Sequence, residues 1–445
     1  MNTGPGDLEA VVTTVRGTGT GDGPRLLRLA ADLAAAAAAA EHLDAHRAEL
    51  LDVLTRYESF EAATDEIGRS IDTLRNLHRE VPGLRTARAG TTAVFLPVNL
   101  PLYSLVLFAA VPSLAADSLT ARGPAATAEW HAQVLAVSGL RRYFPRLELV
   151  HTTRRAFLRD RVRDATTVIF TGRYENAESV RRECPRALFL FEGSGPNPIV
   201  VGPRADLDVS FDRIVTARLF NGGQDCAGPD AYLVHTSRAE EFLARLLATL
   251  AALPTGSYRD PLVRVGPVLN RAPLRDLARR LEEVAHDVVV GGAVDPGTAT
   301  VQPTVVVRPL SHHDRLVEFF APVFYILRYG GPAELDGFFA RDEYTSRAMY
   351  ASFFGEDVPA ALYANSTVLT GCTVLDVERG NDPYGGYGPR ANYVARGGRV
   401  LEVAPILITA CLARHGGGEP PRESHAQVRR MAVQQGPDAV TGRRP

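Results

Sequence analysis

The stretch TTVIFTGRYENAESVRRECPRALFLFE, residues 166–192, decides the fold class of this chain. Two short apolar runs, TTVIF and ALFLF, flank a polar segment near 175–183 whose composition favours a helix. A strand, a helix and a second strand in this order imply a right-handed crossover between parallel strands. Ligands bind such sheets at the carboxyl ends of the strands, so we expect chemistry in the turns that follow the apolar runs.

The same alternation continues in both directions. Upstream, TAVFLP, SLTAR and LELV alternate with helical segments at 101–115 and 124–138, and the Ala- and Leu-rich segment 25–56 predicts one or two more helices. Downstream from near 198, the apolar runs are PIVVG, AYLVH, VGPVL, DVVVGG and TVVVR, with helices predicted at 238–252 and 273–286. The pattern predicts an α/β protein with two doubly wound α/β domains.

Composition and charge exclude several classes of function. Of the 445 residues, 45% are hydrophobic and 22% are charged, which is ordinary for a globular protein. A net charge of −2 provides no basic field for nucleic acid or an anionic membrane, so we expect a small-molecule partner. The cysteines show neither a CxxC pair nor metal-ligand spacing, which predicts no metal site. Because the sequence has neither a signal peptide nor a membrane-spanning apolar run, we expect a cytoplasmic protein without membrane contact.

A cysteine in FNGGQDCAGPD, residues 220–230, is the first candidate for catalysis. A free cysteine is most often a small buried hydrophobe. Cys226, however, follows a glycine-rich turn and has asparagine, glutamine, aspartate and proline as neighbours, an unusual setting for a core residue. We therefore interpret its thiol as a nucleophile.

Two polar residues in other turns are the next candidates. Glu192 ends the apolar run ALFLF, where its carboxylate can project into a crevice, although a solvated charge at a strand end is the more ordinary role. Asn99 lies in a turn between Pro97 and Pro101, and by itself it is a turn former or a helix cap.

Together these residues resemble the aldehyde dehydrogenase superfamily, which has an asparagine turn, a glutamate-glycine motif and a GQxC cysteine in the same order. Glu192 precedes Cys226 by 34 residues (226 − 192) and Asn99 precedes Arg122 by 23 (122 − 99), as in the family. Further shared motifs are FTG at 170–172, EFFAPV at 318–323 and PYGGYG at 383–388. The resemblance covers roughly 25–412 and implies an aldehyde dehydrogenase-like fold, with a Rossmann-like cofactor domain and a catalytic domain.

The resemblance also implies a mechanism. Cys226 attacks the aldehyde as a thiolate, and the side-chain amide of Asn99 and the backbone N–H of Cys226 hold the oxyanion. Hydride then leaves to a nicotinamide dinucleotide, and Glu192 activates the water that hydrolyses the thioester. The product is a carboxylic acid.

The same resemblance implies a site for NAD or NADP. Glu318 holds the nicotinamide ribose and Phe320 packs beside the ring, while the helix that follows Gly172 faces the pyrophosphate. Pro97 and Val98 belong to the same set of cofactor-binding positions, although many members of the family have tryptophan where Val98 stands.

Two arginines depart from the family pattern at this site. Arg122, Gly123, Pro124 and Ala125 replace the usual Lys-Pro-Ser-Glu, so a ribose-binding carboxylate is missing and NADP is tolerated or preferred. Alternatively, arginine merely replaces lysine, because all 49 basic residues of this chain are arginine. Arg173 stands where the family has a small residue, and it either clamps a phosphate or narrows the cofactor cleft. The chain is therefore predicted to be a divergent member.

Two other functions remain open at this level. An acylating aldehyde dehydrogenase or an acyl-CoA or acyl-carrier reductase uses a thiol in place of water, and Glu192 argues against it. A catalytically silent binding protein of the same fold is the second alternative. The aldehyde itself is not specified, although Tyr103, Leu107 and Phe108 would suit an apolar or aromatic one if they line the pocket.

The predicted organisation has four parts. Residues 1–192 form N-terminal helices and a dinucleotide-binding domain, and residues 193–390 form the catalytic domain. A return segment at 391–412 can supply an oligomerisation strand, and 413–445 is expected to be a disordered tail. Because the region before Asn99 leaves little room for the family's long β-hairpin, we expect a shortened N-terminal region and a homodimer rather than a tetramer.

Overall fold

The computed structural model describes residues 23–269, 271–311 and 316–416. The strands are β1 (Gly90–Phe95), β2 (Ala116–Arg122), β3 (Leu147–Leu149), β4 (Thr167–Thr171), β5 (Leu188–Glu192), β6 (Ile199–Val201), β7 (Tyr232–His235), β8 (Val288–Val290), β9 (Val294–Asp295), β10 (Thr300–Val301), β11 (Thr304–Pro309), β12 (Val323–Tyr329), β13 (Tyr350–Phe354), β14 (Thr367–Thr370), β15 (Asn392–Arg396) and β16 (Arg399–Glu402).

The α-helices alternate with these strands along most of the chain. They are α1 (Gly23–Ala45), α2 (Arg47–Leu54), α3 (Phe60–Arg75), α4 (Val81–Leu84), α5 (Pro101–Leu105), α6 (Val111–Ser113), α7 (Ala128–Ser138), α8 (Leu140–Tyr143), α9 (Arg154–Phe157), α10 (Tyr174–Glu183), α11 (Leu207–Leu219), α12 (Thr236–Ala251), α13 (Leu274–Glu283), α14 (Pro332–Phe339), α15 (Asp342–Thr345), α16 (Val374–Val377) and α17 (Ile408–His415). None of the helices in the described ranges is both long and apolar enough to cross a membrane.

The strands form two seven-stranded sheets and one two-stranded ribbon. The first sheet has the order β16-β15-β5-β4-β1-β2-β3, and the second has the order β14-β13-β6-β7-β12-β11-β8. β1 to β5 are mutually parallel, as are β6, β7 and β11 to β14 in the second sheet. The predicted α/β class with two doubly wound domains is confirmed.

The return segment joins the first sheet. β15 pairs antiparallel with β5, and β16 pairs antiparallel with β15 and forms the edge. The chain therefore passes from the first sheet to the second after Glu192 and comes back near residue 392. The segment 391–412, which is expected to supply an oligomerisation strand, contains β15 and β16, and β16 lies at the edge of the sheet.

The alanine tract of α1 is part of a packed core. Ala36, Ala39 and Ala40 are fully buried, and α1 packs against α3 beside the first sheet. Small side chains allow two helices to approach closely, and alanine has the highest helix propensity. The prediction of helix over 25–56 is confirmed.

Three further predictions concern the run VGPVL, the start of the C-terminal tail and the missing hairpin. The run VGPVL is not a strand: Val265 makes only an isolated bridge to Thr255, because Pro267 has no N–H to donate to a ladder. α17 continues to His415, beyond the predicted start of the tail at 413, and residues from 417 onward lie outside the described residues. Between α4 and β1 only residues 85–89 intervene, which leaves no room for a hairpin, as predicted.

Candidate active site

One cavity of about 1050 Å³ opens at the carboxyl ends of β1, β4 and β5, which are neighbours in the first sheet. Nine of the ten predicted site residues line it: Pro97, Val98, Asn99, Gly172, Arg173, Glu192, Cys226, Glu318 and Phe320. Arg122 lies at the end of β2, outside the lining, while Pro124, Ala125 and Ala126 just after it belong to the lining. Tyr103, Leu107 and Phe108 also line the cavity.

The loop before Cys226 has a backbone that depends on glycine. Gly222 and Gly223 have φ values of 61° and 82°, in the left-handed region, and Asn221 before them has a φ of 49°. A Cβ on Gly223 would lie 2.3 Å from the carbonyl carbon of Ala321. The turn therefore requires glycine there, both for its conformation and for the close approach of the neighbouring chain.

A buried arginine holds this loop in place. Arg218, at 0% exposure, donates to the carbonyl oxygens of Gly223 at 2.6 Å and Pro229 at 3.0 Å and pairs with Asp230 at 2.8 Å. Asp230 also accepts the backbone N–H of Phe319 at 3.0 Å. One ion pair thus connects both ends of the cysteine loop to the segment that contains Glu318.

A second connection runs from the exit of β5 to the cysteine. The side-chain amide of Asn197 donates to the carbonyl oxygens of Gly195 at 2.7 Å and Cys226 at 2.9 Å. Its Oδ1 accepts the backbone N–H of Tyr350 at 3.3 Å, and its φ is 42°. Asn197 thereby fixes the backbone of Cys226 relative to the strand that ends at Glu192.

Asn99 is buried at 5% exposure and points toward the cysteine loop. Its Nδ2 donates to the carbonyl oxygen of Gln224 at 3.1 Å, two residues before Cys226. An amide nitrogen carries two hydrogens, so this bond leaves one N–H for a ligand. The geometry fits a donor to a developing oxyanion.

The Cys226 thiol contacts a tyrosine. Its Sγ lies 3.2 Å from the Oη of Tyr384, whose backbone is held by reciprocal hydrogen bonds with Ile406 of 2.9 and 2.8 Å. Burial and the Asp225 carboxylate raise the pKa of the thiol well above its usual value, while the Tyr384 hydroxyl acts in the lowering direction. The hydroxyl is thus a donor placed for the thiolate. In the sequence, Tyr384 belongs to the PYGGYG motif but has no predicted catalytic role.

Glu192 lies at the end of β5 with 8% of its surface exposed. Burial, followed by the nearby Glu378 carboxylate, raises its pKa to about 8. The ionised form of such a carboxyl is a stronger base than an exposed glutamate and can accept a proton from a thiol or a water, and this form predominates above about pH 8.

Charged residues from α3 and the end of α16 line the same cavity. Arg69 pairs with Asp65 at 2.6 Å and with Glu378 at 2.7 Å, and burial raises the pKa of Glu378 to about 7. None of these three residues was predicted from the sequence to belong to the site. Asp65 and Arg69 form an i,i+4 pair, which from sequence is typical of a solvated helix face.

The expected cofactor positions form another part of the lining. Gly172 has a φ of 132° and precedes α10, whose first residues also line the cavity. Ser194 Oγ donates to Glu318 at 2.7 Å, and Phe320 has a φ of 48°. Arg173 is exposed at the mouth. A helix N-terminus and an arginine can donate to phosphates, and a held carboxylate can accept from a ribose hydroxyl, so these groups together suit a dinucleotide.

Arg122 has a second arginine as its neighbour. Its Nε donates to the carbonyl oxygen of Thr152 at 2.8 Å, and burial followed by the charge of Arg154 lowers its pKa. Arg154 donates to the side chain and backbone of Asn176 at 3.2 and 3.3 Å. Within the described ranges, neither guanidinium has a carboxylate partner. Two neighbouring guanidinium groups of this kind have the chemistry to bind a phosphate, and the sequence indicated only Arg122 for that role.

Comparison with known proteins gives a consistent result. The family model described as "Aldehyde dehydrogenase family" matches residues 30–389. The chain is 30% identical over 252 residues to "Succinate-semialdehyde dehydrogenase [NADP(+)] 1" of Mycobacterium tuberculosis, covering 54% of each chain. It is 30% identical over 253 residues to "Succinate-semialdehyde dehydrogenase [NADP(+)]" of Mycobacterium avium, covering 54% of this chain and 53% of that one. The chain thus spans about half the length of the curated relatives it matches.

Solved structures agree with the fold. Glyceraldehyde-3-phosphate dehydrogenase from Methanocaldococcus jannaschii, complexed with NADP, superimposes with a TM-score of 0.71 at 17% identity, covering 87% of this chain and 90% of that one. Lactaldehyde dehydrogenase from Escherichia coli gives a TM-score of 0.70 at 17% identity, covering 82% and 83%. At such identities the likeness shows the fold alone.

Proposed function

The chain belongs to the aldehyde dehydrogenase family, and on that premise we propose that it oxidises an aldehyde to a carboxylic acid through a thiohemiacetal and a thioester on Cys226. The observation that carries the proposal is the single cavity in which the Cys226 thiol, the Asn99 amide and the Glu192 carboxyl meet. A nucleophile, an oxyanion donor and a base are the groups that this chemistry needs.

The first step is formation of the carbon–sulfur bond. The resting thiol has a raised pKa, so it must lose its proton as it attacks, and Glu192, with a pKa of about 8, is the base that accepts it. The Tyr384 hydroxyl, 3.2 Å from Sγ, donates to the sulfur as negative charge develops. The free N–H of Asn99 and the backbone N–H of Cys226 then stabilise the oxyanion of the thiohemiacetal.

The residues present fit a nicotinamide dinucleotide. NADP, when bound, supplies the acceptor for the hydride that leaves the thiohemiacetal carbon. Glu318 would hold its nicotinamide ribose, and the N-terminus of α10 would face its pyrophosphate. Arg122 and Arg154, which lack carboxylate partners in the described ranges, favour NADP over NAD because a 2′-phosphate would pair with them. The mycobacterial relatives are named as NADP(+) enzymes, in agreement with this choice.

The second half of the reaction releases the acid. Glu192 first releases to solvent the proton that it took from the thiol. It then takes a proton from water as hydroxide adds to the thioester carbon, and the tetrahedral intermediate collapses to carboxylic acid and the Cys226 thiolate, which regains its proton from Glu192. Overall, aldehyde, water and NADP⁺ become carboxylic acid, NADPH and a proton. The buried position of Glu192 beside the same cavity supports hydrolysis rather than transfer to a second thiol.

Product analysis tests this proposal. The purified chain would be incubated with a panel of aldehydes and NADP, with and without CoA, and the products identified by mass spectrometry. We expect equal amounts of acid and NADPH in both mixtures. Acyl-CoA as the main product would instead establish the acylating reaction. If no aldehyde gave NADH from NAD or NADPH from NADP, the catalytically silent binding protein would be the remaining alternative.

We also propose that the chain forms a homodimer. β16 is the edge strand of the first sheet, and Val400 within it is 50% exposed. An edge strand with an exposed apolar side chain is suited to pairing with a second copy. Light scattering during size-exclusion chromatography gives the mass, and a monomer at micromolar concentration would contradict the proposal.

A further inference from the structure

The part of the cavity formed by α3, α5 and the residues after α16 contains an excess of carboxyl groups. Cavity-lining acids from this region and from the cysteine loop outnumber the arginines; the acids are Asp65, Glu80, Asp225, Glu378 and Asp382, and the arginines are Arg69 and Arg379. None of these residues belongs to the positions expected to bind the cofactor. Asp382 pairs with Arg79, and Glu80 accepts hydrogen bonds from Asn381 and Thr409, which leaves Asp65, Asp225 and Glu378 to define the aldehyde.

The buried arginine in this group already has partners at all three guanidinium nitrogens. Its Nε contacts Asp65 at 2.6 Å, its Nη1 contacts Glu378 at 2.7 Å, and its Nη2 donates to the carbonyl oxygen of Leu375 at 3.4 Å. Arg69 thus neutralises part of the acid, and two of its nitrogens are already paired with carboxylates of the protein. Arg379 is exposed and lies near Asp382 at the mouth.

A separate observation indicates that a ligand completes this region. Tyr103 lines the cavity with only 4% of its surface exposed, and its hydroxyl has no hydrogen-bond partner in the described ranges. A buried polar atom without a partner costs stability unless a ligand or water satisfies it. The hydroxyl interacts electrostatically with Glu378 and Arg69, so an ammonium group bound beside Glu378 can donate a hydrogen bond to it.

Resting on the function proposed above, we propose that the aldehyde carries a positive charge, as an ammonium or trimethylammonium group on a short aliphatic chain, held by Glu378 with Asp65 and Asp225. The relatives' name refers to succinate semialdehyde, whose carboxylate would meet these acids here and be repelled. Burial raises the pKa of each of the three carboxyls, to about 7 for Glu378, so a cation relieves unfavourable charge and an anion adds to it.

A set of three aldehydes of similar length isolates the charge. They are 4-(trimethylammonio)butanal, its neutral isostere 5,5-dimethylhexanal, and succinate semialdehyde. We expect kcat/KM to be about tenfold or more higher for the cation than for the isostere, and on the order of a hundredfold higher than for succinate semialdehyde. Oxidation of the isostere with no preference for the cation would overturn the inference and leave the proposed function intact.

Glu378→Gln provides the matched variant. It removes one charge without changing the size of the side chain, so we expect the cationic aldehyde to lose about tenfold in kcat/KM while the isostere changes by less than about twofold. Because Arg69 then loses a carboxylate partner, succinate semialdehyde should improve. An equal loss with all three aldehydes would indicate a structural role only and would refute the charge assignment.

The pH dependence adds a second readout. The ratio of kcat/KM for the cation to that for the isostere cancels titrations common to both substrates, and it should rise with pH through about 7 as free-enzyme Glu378 ionises. A flat ratio between pH 6 and 9 would contradict the proposal. The titratable groups that interact with Glu378 are Arg69, Asp225, Asp65, Tyr103, Glu192, Cys226, Tyr350 and Tyr384.

A binding assay keeps the inference testable if none of the aldehydes is oxidised. Butyltrimethylammonium should slow alkylation of Cys226 by iodoacetamide, and butyrate at the same concentration should not. Protection by butyrate rather than by the cation would reverse the charge assignment whether or not the chain is a dehydrogenase.

Discussion

Replacing Tyr384 with phenylalanine removes a hydroxyl that contacts the nucleophile. The structure places Oη 3.2 Å from Sγ of Cys226, within the range of a hydrogen bond to sulfur. A hydrogen bond to a charged group contributes about 1.5–3 kcal/mol. Since one pKa unit corresponds to about 1.36 kcal/mol, the thiol pKa should rise by about one to two units in Tyr384→Phe.

The assay is the rate of Cys226 alkylation by iodoacetamide as a function of pH, with the labelled peptide quantified by mass spectrometry. At any pH below the thiol pKa, the thiolate fraction and therefore the rate should fall about tenfold or more. Tyr387→Phe, in the same PYGGYG loop, is the control and should alkylate like the wild type. If the two variants give superimposable profiles, the Tyr384 hydroxyl does not stabilise the thiolate.

Three other predictions concern the base, the cofactor and the cysteine loop. Glu192→Gln should lower kcat by about a hundredfold or more, and the wild-type kcat/KM, which reports the free enzyme, should rise with pH through about 8 as the carboxyl ionises. A burst of NADPH in the variant would place the loss at thioester hydrolysis, and an unchanged kcat would exclude Glu192 as the base. Arg122→Ser should lower kcat/KM for NADP by about tenfold or more with little change for NAD, because one charged contact to phosphate is lost, and equal losses with both would refute the 2′-phosphate assignment. Arg218→Met should lower the free energy of unfolding, measured in urea, by about 3–5 kcal/mol, because Asp230 stays buried without its partner. Arg213→Met, which breaks an exposed ion pair on the same helix, should lower it by less than about 1 kcal/mol. Similar losses for the two variants would contradict the role of Arg218 in holding the cysteine loop.

The fold followed from the sequence wherever periodicity and composition agreed. Apolar runs of four to six residues separated by helical segments correspond to β1 through β5 and to β6, β7, β8 and β11 of the second sheet, and the alanine tract corresponds to α1. The remaining strands of the second sheet, β12, β13 and β14, were not predicted. The strand predicted at VGPVL is wrong, because its apolar residues indicate a strand but Pro267 prevents ladder pairing. The antiparallel course of β15 and β16 is a tertiary property that no local pattern in the return segment indicates.

The site followed from the sequence only where residues belong to motifs. Motif residues Asn99, Glu192 and Cys226 line one cavity, as expected of a common site. The residues that hold or tune them were missed because their signals are not local. Arg218 resembles any helical arginine until its burial is known, and Tyr384 contacts a cysteine 158 positions away.

The acid-rich part of the cavity was not predicted from the sequence either. Asp65 and Arg69 on α3 have the spacing of a surface ion pair, and Glu378 follows a helix of only four residues. Their convergence depends on the packing of α3 beside the cavity, which tertiary structure alone determines. The apolar residues expected in the pocket do line it, but the charges beside them change the kind of aldehyde that fits.

Aldehyde-dependent formation of NADPH in Cys226→Ala and Cys372→Ala tests the central claim most directly. Both cysteines are partly exposed and free, so the second variant controls for the loss of a reactive thiol. With the best substrate of the aldehyde panel, Cys226→Ala should lose activity by on the order of a thousandfold or more, and Cys372→Ala should stay within about twofold of the wild type. Full activity in Cys226→Ala would contradict the covalent mechanism.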